Sequence, residues 1–115
     1  MAREVCFLIT TDGAVAWSDA SESAWSLPDS RARWEAIWER RATLDTIAHS
    51  HPGGPLAFSH EDTTTMEAIN AALGRPVHYA VVAPTGVIVR DGEGTRIAEV
   101  EPPWAARLRE ASGMM

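Results

Sequence analysis

Two histidines that could bind a metal stand in the segment AHSHPGGPLAFSHED, residues 48–62. His49 and His51 are two residues apart at the end of an apolar run typical of a strand, so strand alternation places both imidazoles on one face. Imidazole nitrogens are good ligands for zinc. Pro52 ends the strand, and the glycines that follow it allow a tight turn. The segment therefore predicts a pair of metal ligands at an accessible strand end.

The second half of this segment is typical of the start of a helix. Ser59 stands three residues before Asp62, which is the usual spacing of an N-cap serine and an acid in the first turn. Beside the histidine pair, the same residues have a second interpretation: the loop folds back and Asp62 faces the imidazoles. Two histidines and one carboxylate leave the fourth tetrahedral position open for water, as in catalytic zinc sites.

In these residues the sequence resembles the JAMM (MPN+) zinc metalloproteases, in their prokaryotic JAB form, and the related RadC-like proteins. The family signature is His-x-His-Pro, six residues, then Ser-x-x-Asp, and all five fixed residues occur here at that spacing. The resemblance implies a peptidase or isopeptidase with zinc on His49, His51 and Asp62, and with Ser59 donating to the oxyanion. It implies a peptide or protein substrate, such as the tail of a ubiquitin-like or sulfur-carrier protein.

The resemblance implies one further catalytic residue, a glutamate at the start of the first core strand. Glu4 opens the stretch EVCFLI, which is similar to the family's Glu-x-x-x-Leu-Leu strand. The other upstream acids are Glu22, in a predicted loop, and Glu35 and Glu39, on a helix that should face away from the strand ends. We predict Glu4 as the general base that activates water, with the other three acids as the alternatives.

The first half of the chain predicts three elements that lead to the histidine pair. The stretch REVCFLITTDGAVAWSD predicts a hairpin that turns at Asp12-Gly13, and its first strand is apolar on both faces and therefore central. A helix is expected from about Ser30 to Arg41, with Asp29 or Ser30 as N-cap. A strand, LDTIAHSH, then runs to Pro52. The expected apolar stripe of the helix is Trp34, Ile37, Trp38 and Leu44.

The second half of the chain predicts a helix, a strand pair and a last helix. The helix runs from about Ser59 to Leu73, is buried through Met66, Ile69 and Leu73, and stops at Gly74. A strand pair turns at residues 84–86, residues 93–103 connect it onward, and a helix begins near Pro103. The expected buried face of this last helix is Trp104, Leu108 and Ala111. The order ββ-α-β-α-ββ-α predicts an α/β single domain, residues 1–115, with a mixed sheet flanked by helices.

Composition excludes several classes of function. A net charge of −6 argues against nucleic-acid binding, and Arg31, Arg33, Arg40 and Arg41 are expected to form only the solvated face of a helix. No apolar run is long enough to span a membrane, and the N-terminus does not have the pattern of a signal peptide. The single cysteine, Cys6, fits a cytoplasmic protein and excludes the Cys-x-x-Cys pair of zinc deaminases.

Some expectations concern departures from the family and competing functions. Typical members have a helix and a strand before the glutamate and many carry insertions that grip ubiquitin; both are expected to be missing, with the last helix covering the sheet instead.

A RadC-like or scaffold role, in which Trp25 contributes a contact surface, is the alternative to hydrolysis. His60 is expected to be exposed, and His78 to be packed or at a strand edge. The oligomeric state is not predicted.

Overall fold

Six strands and three helices make up the part of the chain that the structure, a computed structural model, describes: residues 2–23, 27–28 and 30–114. The elements, in chain order, are β1 (Val5–Thr10), β2 (Val15–Ala20), α1 (Arg31–Glu39), β3 (Leu44–Ser50), α2 (His60–Leu73), β4 (His78–Ala83), β5 (Gly86–Asp91), β6 (Gly94–Ile97) and α3 (Pro103–Ser112).

The strands form one mixed sheet in the order β2-β1-β3-β4-β5-β6. Only β3 and β4 run parallel, and α2 makes the crossover between them. Strand β1 lies between β2 and β3 and is antiparallel to both. The predicted α/β class, and the predicted central place of the first strand, are confirmed.

Helices cover both faces of the sheet. On one face α1 and α2 pack against Cys6 and Leu8 of β1, with Ile37, Met66 and Ile69 among the buried residues. On the other face α3 packs against the alternate residues of the same strand. This second core comprises Val5, Phe7, Ile9, Ala48, Ala80, Val82, Val87, Trp104, Ala105 and Leu108. The last helix therefore covers the second face of the sheet, as expected from its apolar stripe.

One strand was not expected from the sequence. Residues 94–97, predicted as part of a connection, form β6, which pairs with β5 through Ile88–Ile97 and Arg90–Thr95. All four residues of β6 are exposed. A strand held to a sheet edge by backbone hydrogen bonds, with no buried side chain, leaves no alternating apolar pattern in the sequence.

Several details of the predicted elements were wrong. Trp38 is 50% exposed, with the Arg41 guanidinium 4.1 Å from its ring centroid, because Ala36 and Ile37 form the buried face of α1. Ala111 is also exposed, and Ser112 takes the buried position on α3. Strand β3 ends at Ser50, one residue before the second histidine, and α1 ends at Glu39. Leu44, predicted in the apolar stripe of the helix, is the first residue of β3 and is buried there.

One of the two predicted N-cap residues of α1 is confirmed. Ser30 is the N-cap of α1, and its side chain accepts a hydrogen bond from the Arg33 amide. Asp29 and Trp25 lie outside the described residues. Among the residues that are described, no helix has the length and hydropathy needed to cross a bilayer.

Candidate metal centre

The end of β3 places the two histidines side by side. His49 lies within the strand, opposite Cys6 of β1 and Val81 of β4. His51 follows the strand end, and its amide donates to the Val82 carbonyl at 2.8 Å. The two Nε2 atoms are 3.1 Å apart, and the imidazoles have side-chain exposures of 15% and 11%. The structure thus brings both imidazoles to one point, partly shielded from water.

A carbonyl group fixes the orientation of His51. Its Nδ1 lies 3.0 Å from the Pro55 carbonyl oxygen. Since a carbonyl only accepts, this bond requires the proton on Nδ1 and leaves the lone pair of Nε2 directed at His49. Metal-binding histidines are commonly held by such a hydrogen bond on the other ring nitrogen.

The first turn of α2 brings Asp62 to the same point. Ser59 is the N-cap, and its Oγ accepts from the Asp62 amide at 3.0 Å while Asp62 Oδ2 accepts from the Ser59 amide at 2.8 Å. This capping box fixes the carboxylate. Asp62 Oδ1 lies 3.2 Å from His49 Nε2, and Oδ2 lies 3.6 Å from His51 Nε2. The cap and the approach to the histidines therefore exist together.

The spacing of these three groups fits a tetrahedral metal. Ligand atoms about 2.0–2.1 Å from a tetrahedral zinc are roughly 3.3 Å from one another. The two imidazole nitrogens are 3.1 Å apart, and each has one Asp62 carboxylate oxygen near it, at 3.2 Å for His49 and 3.6 Å for His51. The donor set and its spacing therefore fit a metal ion.

Glu4 is a second carboxylate close to the histidine pair. It directly precedes β1, is only 5% exposed, and has an oxygen within 4.8 Å of ligand atoms of His49 and His51. Glu4, His49 and His51 can thus also hold a metal ion. The alternative acids lie elsewhere: Glu22 is exposed, and Glu35 and Glu39 lie near Arg31 and Arg40 on the outer side of α1.

Two buried serines form hydrogen bonds with the backbone of the residues on either side of Glu4. Ser50, between the two histidines, accepts at Oγ from the Val5 amide at 2.9 Å. Ser112, at the end of α3, donates from Oγ to the Arg3 carbonyl at 2.7 Å, and its own carbonyl accepts from the Arg3 amide at 2.9 Å. Both serines are fully buried. Neither serine was predicted from the sequence, because the hydrogen bonds join residues that are far apart in the chain.

The surroundings of the two carboxylates move their pKa values in opposite directions. Burial raises the pKa of Glu4, and the nearby Asp62 and Glu61 raise it further against the opposing effect of His49. Burial also acts to raise the pKa of Asp62. The hydrogen bond and charge of His49 and the bonds with Ser59 outweigh it, and lower that pKa to about 2. Asp62 is therefore held ionised, whereas Glu4 is an acid with increased affinity for a proton.

The remaining histidines take different places. Burial and the charge of His49 lower the pKa of His51, which favours the neutral imidazole that a metal needs. His60 is exposed, as predicted, and borders the cavity in front of the centre. His78 is exposed at the first residue of β4, with Nδ1 3.8 Å from the Asp45 carboxylate, away from the metal centre.

A comparison with known families gives the same assignment as the geometry. The profile of the prokaryotic homologs of the JAB domain matches residues 3–101. The chain belongs to this family. None of the curated proteins matches the chain significantly. The part that matches the JAB domain includes Glu4, both histidines and the first turn of α2, and it ends before α3, whose last residue braces Arg3.

The cap of α2 gives a first prediction. Replacing Ser59 with alanine removes the acceptor for the Asp62 amide, and we expect the free energy of unfolding of the metal-free protein to fall by about 1 kcal/mol. Denaturant unfolding followed by circular dichroism measures this loss. Ser59→Thr retains a hydroxyl and should lose less. Equal stability of the alanine variant and the wild type would show that the cap is not a significant stabilising contact.

Proposed function

We propose that this JAB-domain chain is a zinc-dependent peptidase or isopeptidase. The observation that carries the proposal is the pair of carboxylates beside the two imidazoles, whose pKa values are shifted apart. Such a difference between neighbouring acids is the usual way in which one site assigns separate roles to them. The ionised Asp62 completes the metal site with His49 and His51, and Glu4 exchanges the proton.

The chemistry requires a bound ion and four residues. His49, His51 and Asp62 would hold a zinc ion, which would supply an acidified water and polarise the scissile carbonyl. Glu4 accepts a proton from the water while the water oxygen forms a bond to the carbonyl carbon. The Ser59 hydroxyl, whose oxygen accepts from the Asp62 amide in the cap, would donate its proton to the developing oxyanion. The carbon–nitrogen bond then breaks, and Glu4 returns the proton to the leaving amine.

The partners of this reaction are part of the proposal. The substrate is a peptide or protein, with the tail of a ubiquitin-like or sulfur-carrier protein as a specific case suggested by the family. Cys6, the only cysteine, is buried and reduced, which supports a cytoplasmic location.

Metal content provides the direct test of the proposal. Purified protein is expected to contain about one zinc per chain, because the structure offers one compact set of imidazole and carboxylate donors among its described residues. Plasma emission spectroscopy measures the content, and a peptide library read by mass spectrometry measures cleavage. Chelation should abolish cleavage and lower the melting temperature, and added zinc should restore both.

Two results separate this proposal from its alternative. Protein that takes up zinc but cleaves no peptide or isopeptide bond would favour the RadC-like or scaffold role. Protein that neither contains zinc nor is stabilised by it would contradict both functions. His78→Ala is a suitable control, since His78 lies outside the centre and its loss should change neither zinc content nor cleavage.

A further inference from the structure

A cavity of about 460 Å³ adjoins the metal centre. Helices α1 and α2 form two of its sides, and the sheet face formed by β1, β3 and β4 forms its floor. Glu4, His49, His51 and Asp62 belong to its wall, so the cavity and the centre share one space. Its size lies within the range of pockets that bind small ligands.

Away from the metal centre the wall of this cavity is largely apolar. Six side chains from both helices and the adjoining loops supply most of this apolar wall: Leu27, Trp34, Ile37, Phe58, Met66 and Ile69. All of them belong to, or pack against, the same core cluster. Replacing the water beside such an apolar wall with an apolar group is favourable, because it removes apolar surface from water.

The Arg33 and Tyr79 side chains of this wall already have polar partners. The Arg33 guanidinium donates to the Asp19 carboxylate, with Nη2 and Oδ2 2.9 Å apart. The Tyr79 hydroxyl donates to Asn70 Oδ1 at 2.6 Å. The Cys6 thiol stays protonated, because burial raises its pKa to about 12. The inner part of the cavity therefore presents no unpaired charge among its described residues and does not favour a charged ligand.

We propose that this cavity is a specificity pocket that takes a large aliphatic or aromatic side chain from a residue next to the scissile bond. Hydrolysis at that bond rests on the proposed function, whereas the binding preference stands without it. A glycine at this position leaves the apolar wall in contact with water. A leucine or phenylalanine side chain displaces that water while the peptide carbonyl stays at the metal centre.

Matched peptides test the pocket. We would use acetyl-Ala-Xaa-Gly-Ala-amide and acetyl-Ala-Gly-Xaa-Ala-amide, with glycine, leucine or phenylalanine as Xaa, to sample both sides of the bond. Calorimetry on zinc-loaded Glu4→Gln protein gives the Kd without turnover, and wild-type kinetics gives kcat/KM. Leucine or phenylalanine at one of the two positions should improve both constants by about tenfold or more over glycine.

Two tryptophans of α1 supply a matched pair of variants. Trp34 lines the cavity, whereas Trp38 is half exposed on the same helix. Trp34→Ala should remove most of the preference for leucine over glycine, and Trp38→Ala should keep it. If Trp34→Ala does not fold, Leu27→Ala at the loop side of the cavity takes its place.

The outcomes distinguish the pocket from the proposed hydrolysis. Equal binding of the glycine, leucine and phenylalanine peptides, or equal loss of preference in both tryptophan variants, would overturn the pocket. Tighter binding of the leucine peptide that depends on Trp34 supports the pocket. If that binding occurs and no peptide is cleaved by the wild type, the pocket stands and the hydrolytic function fails.

Discussion

Glu4→Gln is expected to lower kcat for peptide hydrolysis by about 10²- to 10⁴-fold, the usual contribution of a general base. Glutamine has nearly the shape of glutamate but takes up no proton, so zinc binding by His49, His51 and Asp62 should persist. Burial raises the pKa of Glu4, which means that the folded protein disfavours its ionised form. The variant should therefore be no less stable than the wild type when metal-free. Steady-state kinetics measures kcat, zinc analysis measures the bound metal, and thermal unfolding measures the stability of the metal-free protein.

Two other acids serve as controls for this substitution. Glu35, on α1, is exposed and paired with Arg31, and Glu61 is exposed at the rim of the cavity. Glu35→Gln and Glu61→Gln should each retain most of the activity. Loss of activity in Glu35→Gln but not in Glu4→Gln would assign the base to α1. A loss of zinc as large as the loss of activity in Glu4→Gln would make Glu4 a metal ligand instead.

Asp62→Asn is expected to weaken zinc binding by more than about 100-fold. Even the outer partners of metal ligands contribute 10- to 100-fold to affinity, and this substitution removes the negative charge of a proposed ligand. The asparagine oxygen can still accept from the Ser59 amide, as Asp62 Oδ2 does at 2.8 Å, so α2 keeps its cap. Competition against a chromogenic chelator gives the affinity, and unfolding of the metal-free protein shows whether the fold is retained.

The neighbouring residue is the control for charge alone. Glu61→Gln removes one negative charge from the same helical turn, where the acids lie at the positive end of the helix dipole. It should leave zinc affinity within about a fewfold of the wild type. If Asp62→Asn binds zinc as tightly as the wild type, the ligands are Glu4, His49 and His51, and the assignment of the two carboxylates is reversed.

The sequence predicted most of the parts that lie within one local segment. The His49–His51 spacing gave two imidazoles on one face because a strand alternates with period two. Ser59 and Asp62 gave the helix start because the cap is a local hydrogen-bond pattern. The central place of β1 followed from apolar residues on both of its faces. Each of these features is determined by neighbours in the sequence or by simple burial.

The parts that could not be predicted depend on contacts between distant residues. Strand β6 has only exposed side chains, so backbone pairing with β5 leaves no signal in its composition. The exposure of Trp38 depends on the exact rotation of α1, which Ala36 and Ile37 decide. The cavity arises where two helices and a sheet fail to fill the space between them. Such a gap is a property of three-dimensional packing and has no sequence pattern.

The bond between Arg3 and Ser112 has a consequence for the order in which the protein becomes active during synthesis. Within this domain Glu4 is synthesised 108 residues before Ser112. All six strands and both histidines are synthesised before α3, since a chain is made from its N-terminal side. The hydrogen bonds between Ser112 and the backbone of Arg3, the neighbour of Glu4, form only when α3 packs against the sheet. Maturation of the centre thus coincides with the end of translation of this domain.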